Sequence, residues 1–162
     1  LLKWLRRLVI VFICVLVALA AVGCNEVAAP SNTSSPQEGN GRSPSPFEQE
    51  IFDLVNQARV GEGLEPLKWA GEAGTLALEH SMYMEGVGSI SHDGFQDRAD
   101  ELLRQLDASR VGENVAMGYP SGEAFVDAWL ASEGHRENIL NPLFKRTGIG
   151  CFEGYATQIF CD

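Results

Sequence analysis

Imidazoles, a carboxylate and side-chain amides stand in four separate clusters of this chain: Ser91-His92, Gly112-Glu113-Asn114, Gly134-His135-Arg136 and Thr157-Gln158. Once a fold unites them, they can serve in three ways. Two neutral imidazoles, His92 and His135, can hold a zinc ion, with Glu113 as third ligand or as general base toward a metal-bound water. The same groups, with Asn114 and Gln158, can line a cavity that takes a ligand. Or they can close a buried hydrogen-bond network that stiffens the domain without chemistry. Ser91 and Ser132 lie near the clusters, but neither sits in a Gly-x-Ser-x-Gly elbow, so a nucleophilic triad is the weakest reading. The chain also has no His-Glu-x-x-His helix, P-loop or dinucleotide fingerprint.

The elements that must carry these residues follow from periodicity. Phe47, Ile51, Leu54, Val55 and Ala58 recur at helical spacing, which predicts a first helix from Phe47 to Arg59, started by Pro46 and ended by Gly61 and Gly63. A loop then leads into Trp69. Gly71 to Glu85 reads as a second helix with Ala73, Leu76, Ala77, His80 and Met84 on one face, which makes His80 a core residue. Asp97 to Leu106 reads as a third, charged helix, and Val111 to Met117 as an extended segment carrying Glu113 and Asn114. Ser121 starts a fourth helix with Phe125 and Trp129 on its apolar stripe, ending at Gly134, and His135 to Leu140 forms a short turn. Gly148 to Cys161 is β-prone and folds over at Glu153-Gly154. Helices first and strands late predict an α+β fold: a small antiparallel sheet covered by helices.

The first 46 residues are of another kind. Lys3, Arg6 and Arg7 precede an apolar run from Leu8 to Val22, the pattern of a secretion signal over residues 1–23. Ala21-Val22-Gly23-Cys24 looks like a bacterial lipoprotein cleavage site, with Ala21 where Leu is usual, which makes Cys24 the lipidation site. Residues 24–46 are rich in Pro, Ser, Asn and Gly, the composition of a flexible tether. These features predict that the domain of residues 47–162 lies at the outer face of the cytoplasmic membrane or outside the cell, held by an N-terminal lipid anchor; an uncleaved signal anchor and a released protein are the alternatives. The formal charge is −10, and every basic residue of the signal segment lost makes the remainder more acidic, which argues against nucleic acid as partner. Cys151 and Cys161 remain. In an oxidising compartment two such thiols are expected to pair, although a tight hairpin at Glu153-Gly154 would hold them about 17 Å apart at about 3.4 Å per residue.

Eight pieces in series resemble the CAP superfamily (SCP/TAPS), the cysteine-rich secretory, antigen 5 and pathogenesis-related proteins, in its bacterial branch. They are Val55-Asn56-Gln57-Ala58-Arg59, Gly63-Leu64-Glu65-Pro66-Leu67, Ala77-Leu78-Glu79-His80-Ser81, Ser91-His92, Gly112-Glu113-Asn114-Val115-Ala116, Trp129 through Leu140, Gly148-Ile149-Gly150 and Thr157-Gln158. The resemblance implies an α-β-α sandwich. It also implies a cavity lined in eukaryotic members by two His and two Glu, sometimes with zinc. His92 and Glu113 match one of each. Ser132 stands at the place of the second Glu and Tyr155 at that of the second His, and His135 is close enough in sequence to serve the same cavity. The function implied is a binding module for a cell-envelope component, lipid or peptide. A zinc-dependent hydrolase and a purely structural network are the alternatives.

Overall fold

The computed structural model describes residues 41–162. The expected signal segment, Cys24 and the tether as far as residue 40 lie outside the described residues. The elements run α1 (Pro46–Gly61), β1 (Lys68–Trp69), α2 (Gly71–Val87), α3 (Phe95–Leu106), β2 (Val111–Met117), α4 (Gly122–Ala131), α5 (Glu133–Ile139), β3 (Arg146–Phe152) and β4 (Tyr155–Cys161). The strands form one sheet in the order β1-β3-β4-β2. β4 lies antiparallel to both β2 and β3, while the two-residue β1 joins β3 in parallel, so the sheet is mixed rather than wholly antiparallel. β1 escapes a periodicity reading because two residues carry no alternation. It is held in place by backbone bonds from Lys68 and Ala70 to β3 and its lead-in, and by Asn56, whose side chain bonds both the N–H and the carbonyl of Leu67.

The sheet separates two layers because successive side chains on a strand point to opposite faces. On one face Ile149, Ala156, Phe160 and Ala116 pack with Ile51 and Val55 of α1, Phe125 and Trp129 of α4, and Ile139 of α5. Trp129 is 1% exposed and belongs to this core, as its stripe predicts. On the other face α2 lies close against β3. A side chain at Gly148 would meet the backbone of Ala73 and Gly74, and one at Gly150 the backbone of Ala77 and Leu78. The Ser81 hydroxyl donates to the Gly150 carbonyl across that contact. The result is the α-β-α sandwich expected.

Several boundaries move for local reasons. Residues 41–46, read as the end of the tether, are part of the folded unit. Ser45 caps α1 in a reciprocal box with Glu48. Arg42 donates to the carbonyls of Gly74 and Ile149 and pairs with the buried Glu48, whose other oxygen takes the Cys151 N–H. The helix carrying Trp129 stops at Ser132, and the expected turn beyond it is helical as α5. The expected disulfide is not formed: Cys151 and Cys161 are free thiols. Cys151 faces Ala156 and Cys161 faces Arg146 across the β3–β4 hairpin, whose tight turn places Glu153 at φ 44° and Gly154 at φ 83°. The two sulfurs therefore sit at opposite ends of the ladder, far beyond the roughly 7 Å Cα separation a bridge tolerates.

Candidate functional site

β2 is an edge strand, and the loop before α3, α3 itself and α5 close around it. Glu113 points to the α2 side of the sheet and is 6% exposed. Arg98, in the first turns of α3, donates through Nε to Glu113 Oε2 at 2.8 Å and through Nη2 to Oε1 at 2.9 Å, a bidentate pair. Its Nη1 donates to the Asp93 carbonyl at 2.7 Å, which ties the loop bearing His92 to the same guanidinium. His92 Nδ1 lies 2.8 Å from Glu113 Oε1. A carboxylate already clamped by Arg98 can only accept here, so Nδ1 is the protonated nitrogen and Nε2 is left as an acceptor. The His92 side chain is 53% exposed against 2% for that of Glu113. An oriented imidazole is thus presented to solvent by a buried ion pair.

A second imidazole sits behind the loop. His80 is 3% exposed and its Nε2 donates to the Ser91 carbonyl at 2.7 Å, which fixes the backbone just before His92. Burial pushes the His80 pKa down against the opposing pull of that hydrogen bond, with the Arg98 charge adding to the fall. His80 is therefore the satisfied core residue its helical face predicts, with one added duty in placing the loop.

On the opposite face, Asn114 sews α5 to the edge strand. Its Nδ2 donates to the His135 carbonyl at 3.1 Å, and Asn138 donates to Asn114 Oδ1 at 2.9 Å and to the Glu113 carbonyl at 3.2 Å. The far end of α5 is gripped by Arg59, which is 1% exposed. Its guanidinium donates to the carbonyls of Glu65, Ile139, Asn141 and Phe144 and has no carboxylate partner among the described residues. Burial lowers the Arg59 pKa, and the negative ends of α1 and α5 offset the buried charge. His135 rides on α5, half-buried. Its pKa is lowered first by burial and then by the charge of His92, so the field of one imidazole reaches the other.

The residues singled out from the sequence thus divide. His92 and Glu113 meet directly, and His135 comes within the electrostatic reach of His92. Tyr155 lies on the Glu113 face but is buried with Met84 and Val115. Ser132 caps the junction between α4 and α5. Asn114 and Gln158 are fully buried on the other face, where Asn114 holds α5 and Gln158 donates to Thr147 at 3.2 Å. Gln158 Oε1 has no partner among the described residues. Of the zinc alternatives, the one that takes Glu113 as third ligand beside His92 and His135 does not fit this geometry. Both Glu113 oxygens already accept charge-assisted bonds, a guanidinium lies against them, and among the described residues no group of three His, Cys, Asp or Glu is placed to hold a metal ion.

Arg98 is the functional residue the sequence hides. It sits on a helix that carries four other charged residues, Asp97, Asp100, Glu101 and Arg104, and nothing in spacing separates it from Arg104. The only hint is its position one to two turns beyond His92. Arg59 figures in the sequence reading only as the end of the first helix and of the Val55-Asn56-Gln57-Ala58-Arg59 run, with no role attached.

Residues 52–161 match the family model described as the cysteine-rich secretory protein family. The chain is 37% identical over 118 residues to a Bacillus subtilis membrane protein, YlbC, spanning 70% of this chain and 34% of that one. It is 32% identical over 126 residues to YkwD of the same organism, spanning 76% and 47%. The chain therefore spans about a third to a half of the length of these relatives. Among solved structures, an extracellular protein containing an SCP domain from Bacillus anthracis aligns with a TM-score of 0.65 at 32% identity, covering 75% of this chain and 45% of that one. An outer surface protein of Borrelia burgdorferi shares the fold with a TM-score of 0.66 at 17% identity, covering 76% of this chain and 98% of that one.

Proposed function

The chain belongs to the cysteine-rich secretory protein (CAP) family, and on that premise we propose that it is an extracytoplasmic binding module. Its ligand is a cell-envelope component, a lipid or a peptide, taken at the rim where His92 stands over Glu113, with His135 within its electrostatic reach. The observation that carries this reading is the half-exposed His92, fixed through Nδ1 by a carboxylate that Arg98 clamps at 2.8 and 2.9 Å. A surface imidazole held this firmly has lost its rotamer freedom before any ligand arrives, so binding costs less ordering entropy. Its Nε2 offers an acceptor when neutral and a donor when protonated. The extracellular relative from Bacillus anthracis and the membrane protein YlbC support a place outside the cytoplasm. Among the described residues no helix is long and apolar enough to cross a membrane. Attachment would come from acylation of Cys24.

Two experiments test the reading. The full chain, purified in mild nonionic detergent, is titrated with muramyl dipeptide, with a phosphatidylglycerol and with a neutral hexapeptide, and the imidazole resonances are followed by NMR. At least one ligand should shift His92 and His135, and the double variant His92→Ala, His135→Ala should abolish that binding. A panel that leaves both rings unmoved would sink the proposal. Metabolic labelling with palmitate should mark the wild type and spare Cys24→Ser; equal labelling removes the anchor.

The saturation of Glu113 favours a second reading, that the cluster only braces the fold. It predicts that His92→Ala lowers the melting temperature while ligand titrations stay silent for the wild type as well.

A further inference from the structure

A groove runs between α2 and α3, with Asp93 and Gly94 of the intervening loop at one end. Two adjoining cavities, of about 560 and 400 Å³, share Leu76 and Glu79 and form it together. Glu72, Leu76, Glu79, His80 and Tyr83 make one stripe along its α2 wall, at helical spacing, with Asp97 and Glu101 on α3 facing them. From Glu72 to Tyr83 the stripe spans about 17 Å at about 1.5 Å per residue.

The lining is rich in acceptors. Arg98 is the cation among its lining residues, and that guanidinium is already committed to Glu113 and the Asp93 carbonyl. Glu79 and Asp97 are exposed and make no hydrogen bond or ion pair among the described residues. His80 adds an independent signal. It is 97% buried, since only 3% is exposed, and its Nε2–H is spent on Ser91, so Nδ1 carries a lone pair. No donor meets that lone pair among the described residues, and His80 lines the groove. Carboxylates and an imidazole lone pair together call for a ligand that donates and does not accept. A sugar hydroxyl array or an anion does not meet that demand; an ammonium or guanidinium does. Leu76 and the half-exposed Tyr83, stacked on His80 with ring centroids 5.8 Å apart, offer apolar and aromatic surface for the alkyl stem and head of such a group.

We infer that the α2–α3 groove is a docking site for an extended, lysine- or arginine-bearing peptide segment of a partner protein. About five residues in extended form match its length. This surface adjoins the His92 rim through Asp93 and Arg98, but the carboxylates proposed to take the ligand, Glu79 and Asp97, make no hydrogen bond or ion pair with His92 or Glu113.

The test uses the full chain in nonionic detergent and a fluorescein-labelled heptapeptide, Gly-Lys-Leu-Lys-Leu-Lys-Gly, followed by anisotropy. A second peptide with Glu in place of each Lys serves as the opposite charge. The double variant Glu79→Gln, Asp97→Asn should bind the basic peptide about five- to tenfold more weakly, the range for losing two exposed charge pairs. Glu62→Gln, Glu65→Gln removes the same charge outside the groove and should change affinity less than twofold. The basic peptide should also shift the His80 Nδ1 and Tyr83 resonances. Equal losses in the two double variants would reduce the effect to overall charge and overturn the site. Binding of the acidic peptide, no binding of the basic one, or silent His80 and Tyr83 signals would overturn it as well.

Discussion

At the scale of single residues, the site depends on one guanidinium. Glu113 is a nearly buried carboxylate, and Arg98 supplies two of its three side-chain hydrogen bonds. Removing one partner of such a pair leaves an uncompensated charge, which costs more than the pair itself contributes. Arg98→Met should therefore destabilise the protein by about 2–4 kcal/mol, and Arg98→Met with Glu113→Leu should recover most of that loss. Urea denaturation of the three proteins checks this; a single variant within about 0.5 kcal/mol of wild type would mean that the clamp is idle. Cys151 behaves in the opposite sense. Burial, and then the nearby Glu48 carboxylate, push its thiol up to about 12, so it stays protonated and inert at neutral pH. Neither it nor Cys161 is placed for a bridge, and a reductant should leave the melting temperature unchanged. A reductant-induced drop of several degrees would contradict the hairpin register.

At the scale of elements, close approach and pinning decide what moves. α2 can rest on β3 only because Gly148 and Gly150 carry no side chain. Gly150→Ala should cost at least about 1–3 kcal/mol, as overpacking does. Gly134→Ala, in α5 with open space around the added methyl, should be neutral or stabilising by up to about 1 kcal/mol. Thermal melts of the two compare them directly. α5 is held by Asn138 and Arg59 rather than by its own length, which is too short for a stable isolated helix. Asn138→Ala should speed amide exchange in residues 133–139 while leaving α2 protected, at a cost of about 1–3 kcal/mol. Much of this was readable in advance: α1, α2, β2 and the Glu153-Gly154 hairpin follow from apolar spacing and turn residues. α5 was not, because seven residues with a single buried apolar side chain, Ile139, show no period.

At the scale of the whole molecule, protonation links the site to stability. His80 and His135 both have folded pKa values below the free-histidine value, mainly through burial. A depressed pKa favours the neutral ring in the folded state. The stability it contributes is therefore present above about pH 6.5 and is lost as pH falls through the folded values. Melting temperature should decline between pH 7 and pH 5, and His135→Asn should flatten part of that slope. A flat profile in the wild type would remove the linkage. Periodicity, turn chemistry and charge are local properties, so they were enough to set the class of fold, the order of the main elements, the acidic surface and the candidacy of His92 and Glu113. Four outcomes needed the folded chain: Arg98 clamps Glu113, Asn114 and Gln158 turn away from it, the two thiols stay apart, and α2 and α3 enclose an acidic groove. Those outcomes depend on strand register and on which face each residue takes, and a one-residue shift in either would reverse them.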